Sequence, residues 1–69
     1  MTAVVLNGRP RELPSGATVV HAVRELGASE QGHGVAVAVD GEVVPRGEWA
    51  AMALREGQHV EVLRAVQGG

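Results

Sequence analysis

Cysteine is absent from this 69-residue chain, and its absence removes every disulfide, thiolate nucleophile and thiolate metal ligand. Such a chain suits a reducing compartment, and the expected location is cytoplasmic. Phenylalanine and tyrosine are missing too, leaving Trp49 as the one aromatic residue, so Val and Leu must do most of the packing. Lysine is also absent: all six basic residues are arginines, scattered singly along the sequence. Against eight acidic residues they leave a formal net charge of -2, which offers no attraction to a phosphate backbone and argues against nucleic acid as a partner. Long hydrophobic runs are lacking as well. The longest near the start, Ala3 to Leu6, follows no basic segment and is too short for a signal peptide or a membrane span, so no membrane association is expected.

What is present is enough for one folded domain. The chain is 45% hydrophobic and 20% charged, too apolar for a disordered segment. A domain this small buries only about 60% of the surface its unfolded chain exposes, which leaves little room for an enclosed active site.

Periodicity divides the chain into elements. The stretch TAVVLNGRPREL is an apolar run, the pair Asn7-Gly8 and a second short run, which reads as strand, tight turn, strand. Pro10 cannot donate to a ladder, so the second strand belongs at a sheet edge or must turn that nitrogen outward. Val19, Ala22, Val23 and Leu26 then fall at helical spacing on one face, with His21, Arg24 and Glu25 toward water, Thr18 as N-cap and Gly27 as the left-handed C-terminal cap. After the polar loop EQGHG, Val35, Val37 and Val39 alternate with Ala36 and Ala38 up to the turn pair Asp40-Gly41, forming a third strand. EVVP is a brief fourth strand stopped by Pro45, and RGEWAAMAL is a short helical crossing with Trp49, Met52 or Leu54 pointing inward. In the last strand Val60 and Val62 lie on one side, and His59, Glu61 and Leu63 on the other. The order is strand, strand, helix, strand, short strand, strand, which is an α+β domain with a mixed sheet and one helix across it.

His21, His33 and His59 are the only side chains whose unperturbed pKa lies near neutrality. No cysteine, and no close histidine or carboxylate at ligand spacing, accompanies them, so all three are read as structural or solvent-facing, and no metal site is expected. The sequence ends on AVQGG, where neither Gly68 nor Gly69 has a side chain to pack. Such an end is either a frayed terminus or the working part of the molecule.

The order of elements resembles the ubiquitin-like β-grasp fold, and the block VVPRGEWAAMALREGQHVEVLRAVQGG is similar to the C-terminal half of the ThiS family, small sulfur carriers of thiamine biosynthesis. The most specific parts of the resemblance are VPRGEW, the L-x-x-G-x-x-V approach to the last strand, and the terminal Gly68-Gly69. Two positions depart from the family's pattern: Gln58 stands where many members have an acidic residue, and Gln67 where a small one is common. The resemblance implies a ubiquitin-like β-grasp domain over residues 1–65, with four to five strands packed on one main helix and a short second helical turn, and a flexible tail over residues 66–69.

The resemblance also implies a function. The carboxyl carbon of Gly69 would bear sulfur as a thiocarboxylate, with Val66, Gln67 and Gly68 threading partner active sites. An E1-like activating enzyme of the ThiF type would join that carboxylate to AMP from ATP, a sulfur donor such as a cysteine desulfurase would supply the sulfur, and a thiazole synthase of the ThiG type would receive it. The chain would thus be a protein carrier rather than an enzyme, with no bound cofactor and with ATP used by its activating partner. Glycine suits the tail because an α-carbon without a side chain hinders an attacking group least. The absence of lysine has a use in that setting, since no side-chain amine is then present to capture an activated acyl group, although a GC-rich codon bias explains it more simply. Leu63 and Ala65, with Ala36 and Ala38 on the same sheet face by the period-two rule, form an expected apolar partner-binding face, and Arg64 is the arginine nearest the tail. Related readings share the tail: a carrier for molybdopterin, cysteine or tRNA thiolation, or a ubiquitin-like protein modifier. A plain binding module with an inert tail is a third class.

Overall fold

Two strands joined by a turn, a helix, two more strands and a final strand follow one another along the chain in the order the periodicity dictates. The computed structural model describes residues 1–28 and 34–64. Strands β1 (Thr2–Leu6) and β2 (Arg9–Leu13) form a hairpin, α1 (Val19–Glu25) follows, β3 (Val35–Val39) and β4 (Glu42–Val44) form a second hairpin, and a 3-10 turn (Arg46–Glu48) leads toward β5 (His59–Arg64). The sheet order is β2-β1-β5-β3-β4. β1 and β5 pair in parallel at the centre, and every other pairing is antiparallel.

Both hairpins close through two residues, with Leu6 opposite Arg9 and Val39 opposite Glu42. Asn7 and Gly8 have φ of 49 and 82, and Asp40 and Gly41 have φ of 50 and 85. These positive values are those of a type I′ turn, whose twist matches that of the strands it joins. Pro10 sits on edge strand β2 opposite Val5. The Val5 N–H donates to the Gln58 carbonyl at 2.9 Å, on the β5 side, so Val5 and Pro10 face each other without ladder bonds, and the proline nitrogen points to the open edge.

The helix lies on the sheet face formed by Val4, Leu6, Leu13, Val37, Val39, Val44, Val60 and Val62, and contributes buried Val19, Ala22 and Val23. Leu26 and Val35 are only partly buried at the margin of this core. His21 is half-buried, while Arg24 and Glu25 are exposed. Arg11 on β2 meets Glu25 at 2.9 Å, an exposed pair that contributes little to stability.

The two ends of α1 are completed by different means. At the C-terminus Gly27, with φ of 71, donates to the Arg24 carbonyl at 2.9 Å, and Ala28 donates to the Val23 carbonyl at 3.1 Å. This is a Schellman motif, and the buried side chains of Val23 and Ala28 supply its apolar contact. At the N-terminus Thr18 holds the N-cap position with extended backbone, but its hydroxyl makes no capping bond. The first amides go instead to distant carbonyls: Val19 to Met52 at 3.0 Å and Val20 to Trp49 at 3.4 Å. The segment after β4 therefore does the work expected of the threonine side chain. It is anchored in turn by Leu54 donating to the Ala17 carbonyl at 2.8 Å and by the Trp49 indole donating to the Val44 carbonyl at 3.0 Å. Trp49 and Leu54 are buried and Met52 is half-buried, as their spacing requires.

Two substitutions test this account. Leu6→Ala removes a side chain only 1% exposed and is expected to cost about 2–5 kcal/mol in urea unfolding followed by Trp49 fluorescence. Gly27→Ala meets no atom within 4 Å, so its expected cost is conformational, about 1–2 kcal/mol.

Candidate functional site

The helix covers one face of the sheet, and no described element lies across the other. On that open face the strand registers bring the expected residues together. Ala36 lies directly opposite Leu63, and Ala38 opposite Glu61. Leu63 is 66% exposed, Ala36 is exposed and Ala38 half-buried. Val43 on β4 pairs with Ala38 and, at 75% exposed, extends the apolar surface toward the sheet edge. Strand parity, which turns Val43 away from the side of buried Val44, is the signal that would have found it. Arg64 belongs to the other parity: it pairs with Val35 and shares the side of Val60 and Val62, remaining exposed at the strand end. It flanks the apolar face of Leu63, Ala36 and Ala38 without being part of it. Ala65, Val66, Gln67, Gly68 and Gly69 lie outside the described residues.

β5, the strand that leads to those residues, is held from both sides by the hairpin turns. From the β1 side the Asn7 backbone N–H donates to the Val60 carbonyl at 2.9 Å. The Asn7 side chain then accepts from the Val62 N–H at 2.8 Å and donates through Nδ2 to the Val62 carbonyl at 3.1 Å. From the β3 side the Asp40 N–H donates to the His59 carbonyl at 2.7 Å, and Asp40 Oδ1 accepts from the His59 N–H at 2.9 Å. Gln58 completes the entry to the strand. Its Oε1 accepts from the Arg55 N–H at 2.7 Å, and its Nε2 lies 3.4 Å from Asp40 Oδ2. A carboxylate at position 58 would place like charge against Asp40, so the glutamine fits this particular turn. The spacing of Asn7 and Gly8 predicts the hairpin but not the grip on Val62, which needs the register of a strand 55 residues away.

His59 is exposed at the start of β5 and His21 half-buried on α1. His33 lies outside the described residues. Among the described residues no group of three His, Cys, Asp or Glu side chains could hold a metal ion, and none of the described helices is long and apolar enough to cross a membrane.

A mixed sheet with parallel first and last strands at its centre and one helix across one face defines the ubiquitin-like β-grasp class. The model of the ThiS family matches residues 4–69, and the chain belongs to that family. The chain is similar to the crystal structure of a thiamine biosynthesis protein (ThiS) from Geobacter metallireducens, with a TM-score of 0.73 and 27% identity over 99% of this chain and 100% of that one. It is also similar to the solution structure of a thiamine biosynthesis protein from Geobacter metallireducens, with a TM-score of 0.76 and 26% identity over 99% of this chain and 88% of that one. Among curated proteins none matches.

Because Leu63 contributes little to the core, Leu63→Asp is expected to change stability by no more than about 1 kcal/mol in thermal unfolding. Val62→Asp, on the buried side of the same strand, is expected to prevent folding.

Proposed function

We propose that this chain is a sulfur carrier of thiamine biosynthesis and that the carboxyl carbon of Gly69 is the atom that carries the sulfur. The observation that carries the proposal is the match to the ThiS family, which runs through the last residue rather than stopping at the folded domain. Both similar solved structures bear names from the thiamine pathway, which supports the same reading.

The chemistry needs activation because a free carboxylate is a poor acyl donor. In an E1-like partner of the ThiF type, a carboxylate oxygen of Gly69 attacks the α-phosphorus of ATP, pyrophosphate leaves, and an acyl adenylate results. A persulfide from a donor such as a cysteine desulfurase then displaces AMP to give an acyl disulfide, and thiols cleave its S–S bond, leaving the thiocarboxylate and becoming oxidised to a disulfide. The thiocarboxylate passes to a thiazole synthase of the ThiG type. Throughout, the chain is the co-substrate: ATP is bound and spent by the partner, and the carrier contributes an accessible acyl carbon. Gly68, Gln67 and Val66 form the segment that threads each partner's channel. The cytoplasm is the compartment that a cysteine-free carrier of this kind suits.

The open sheet face is the proposed partner surface. Leu63 and Ala36 offer apolar contact at the end of the sheet where the chain continues into Ala65 and the tail, Ala38 and Val43 carry it back to the level of Glu61, and Arg64 stands beside them as a charged rim group. Apolar contact near the tail lets several partners recognise the domain without covalent chemistry on it.

Incubation with ATP, a ThiF-type enzyme and a sulfur source is expected to shift the intact mass by one oxygen-to-sulfur exchange. Deletion of Gly69 is expected to abolish the shift, and a full shift in the deleted chain would overturn the assignment. Leu63→Asp is expected to slow adenylation at least about tenfold, the effect of losing one well-buried apolar interface contact, and wild-type rates of both adenylation and sulfur transfer would remove the sheet face from the proposal.

A further inference from the structure

β1 ends at Leu6, which pairs with Val60, whereas β5 runs on to Arg64. Beyond Val60 the β1 side of β5 has lost its strand partner, yet the N–H and C=O of Val62 point to that side. The Asn7 amide meets both of them, Oδ1 facing the N–H at 2.8 Å and Nδ2 facing the carbonyl at 3.1 Å. One side chain thus stands in for the next peptide unit of β1.

The second hairpin provides an internal comparison. Asp40-Gly41 has nearly the same backbone as Asn7-Gly8, with φ of 50 and 85 against 49 and 82. The Asp40 carboxylate faces donors: the His59 N–H and Gln58 Nε2. The His59 carbonyl is met by the Asp40 backbone N–H instead. Carboxylate therefore stands where only donors must be met, and amide where a carbonyl must be met as well.

We propose that the Asn7 side-chain amide is a hydrolysable latch: it holds Val62 in the sheet, and its deamidation releases the end of β5 that leads into the tail. Asn followed by Gly is the dipeptide most open to this reaction, because Gly8 has no side chain to shield its backbone nitrogen. That nitrogen, on losing its proton to water or hydroxide, attacks Cγ of Asn7. A C–N bond forms, the bond from Cγ to Nδ2 breaks, and ammonia leaves with a succinimide behind it. One water then opens the ring to an aspartyl or isoaspartyl product, so that one water is consumed and one ammonia released. The isoaspartyl product lengthens the main chain of the turn by one carbon, and the aspartyl product puts a carboxylate oxygen where Nδ2 met the Val62 carbonyl, setting acceptor against acceptor. Turning away to relieve that contact also gives up the bond to the Val62 N–H. The intact latch opposes the reaction, since its two bonds to Val62 hold the side chain in one position and the loss of Nδ2 gives one of them up. The consequence for sulfur transfer rests on the proposed function of the tail; the latch itself does not.

Asn7→Asp mimics the aspartyl product, and the Asp40-Gly41 turn shows that the backbone accepts it. Amide exchange followed by NMR on the full chain is expected to be about tenfold faster at Val62 in Asn7→Asp, the loss of one ordinary hydrogen bond, and unchanged at Val23 in α1. Unchanged or slower exchange at Val62 overturns the latch. Peptide mapping of the wild-type chain after mildly alkaline incubation is expected to show conversion at position 7, several-fold slower folded than in urea. Equal rates, or no conversion of the folded chain at all, overturn it. In the sulfur-loading assay Asn7→Asp is expected to load several-fold more slowly than wild type. If the wild-type chain gains no sulfur, the carrier reading fails while the exchange and mapping results still decide the latch.

Discussion

The last strand of this chain lies in the middle of the sheet. Val60 and Val62 are 0% and 5% exposed beneath the helix, and both backbone edges of β5 are engaged, by β3 along one side and, on the other, by β1 at His59 and Val60 and by the Asn7 side chain at Val62. A parallel pair at the centre requires a long connection, and here that connection is nearly the whole chain, since the first and last strands are the partners. The core closes only when the final residues of the domain arrive. That arrangement places a strand held from both sides immediately before residues 65–69.

Two type I′ turns serve this constraint. Each reverses a hairpin and each also reaches sideways to β5, Asn7 at Val60 and Val62, Asp40 at His59. The choice between amide and carboxylate follows the groups that each side chain meets rather than the turn type, which accepts either residue. The segment between β4 and β5 does a similar double duty, lending carbonyls of Trp49 and Met52 to the start of α1 while Trp49 fills the core. A small domain with one aromatic residue and no cross-links gains rigidity by using the same residues for two purposes.

Much of this was legible in the sequence because the underlying signals are local. Alternation in Val35–Val39 and in the last strand assigned buried and open faces correctly, with Val37, Val39, Val60 and Val62 inside and Leu63 and Ala36 outside. The turn pairs, the edge placement of Pro10 and the Gly27 cap followed from backbone preference. What escaped was non-local. Thr18 is the N-cap as its type predicts, but the first amides of α1 are met by carbonyls some thirty residues away, and Asn7's grip on Val62 depends on a register that no short window contains. Val43 was overlooked because a three-residue strand gives alternation little length in which to show. Arg64 falls on the other side of the strand from Leu63, although adjacency to the tail drew the two together. The role of the tail residues is a proposal from chemistry and family, and residues 65–69 lie outside the described residues.

The two outer strands have a consequence for life at high concentration. Exposed sheet edges invite other chains to add on and polymerise. Here one margin presents Arg9, Pro10 and the Arg11–Glu25 pair, so an incoming strand meets charged side chains and a position with no hydrogen to give, and the other margin is only three residues long. Neither of these described edges offers a long, flat template on which another chain could add a strand and grow into a fibril.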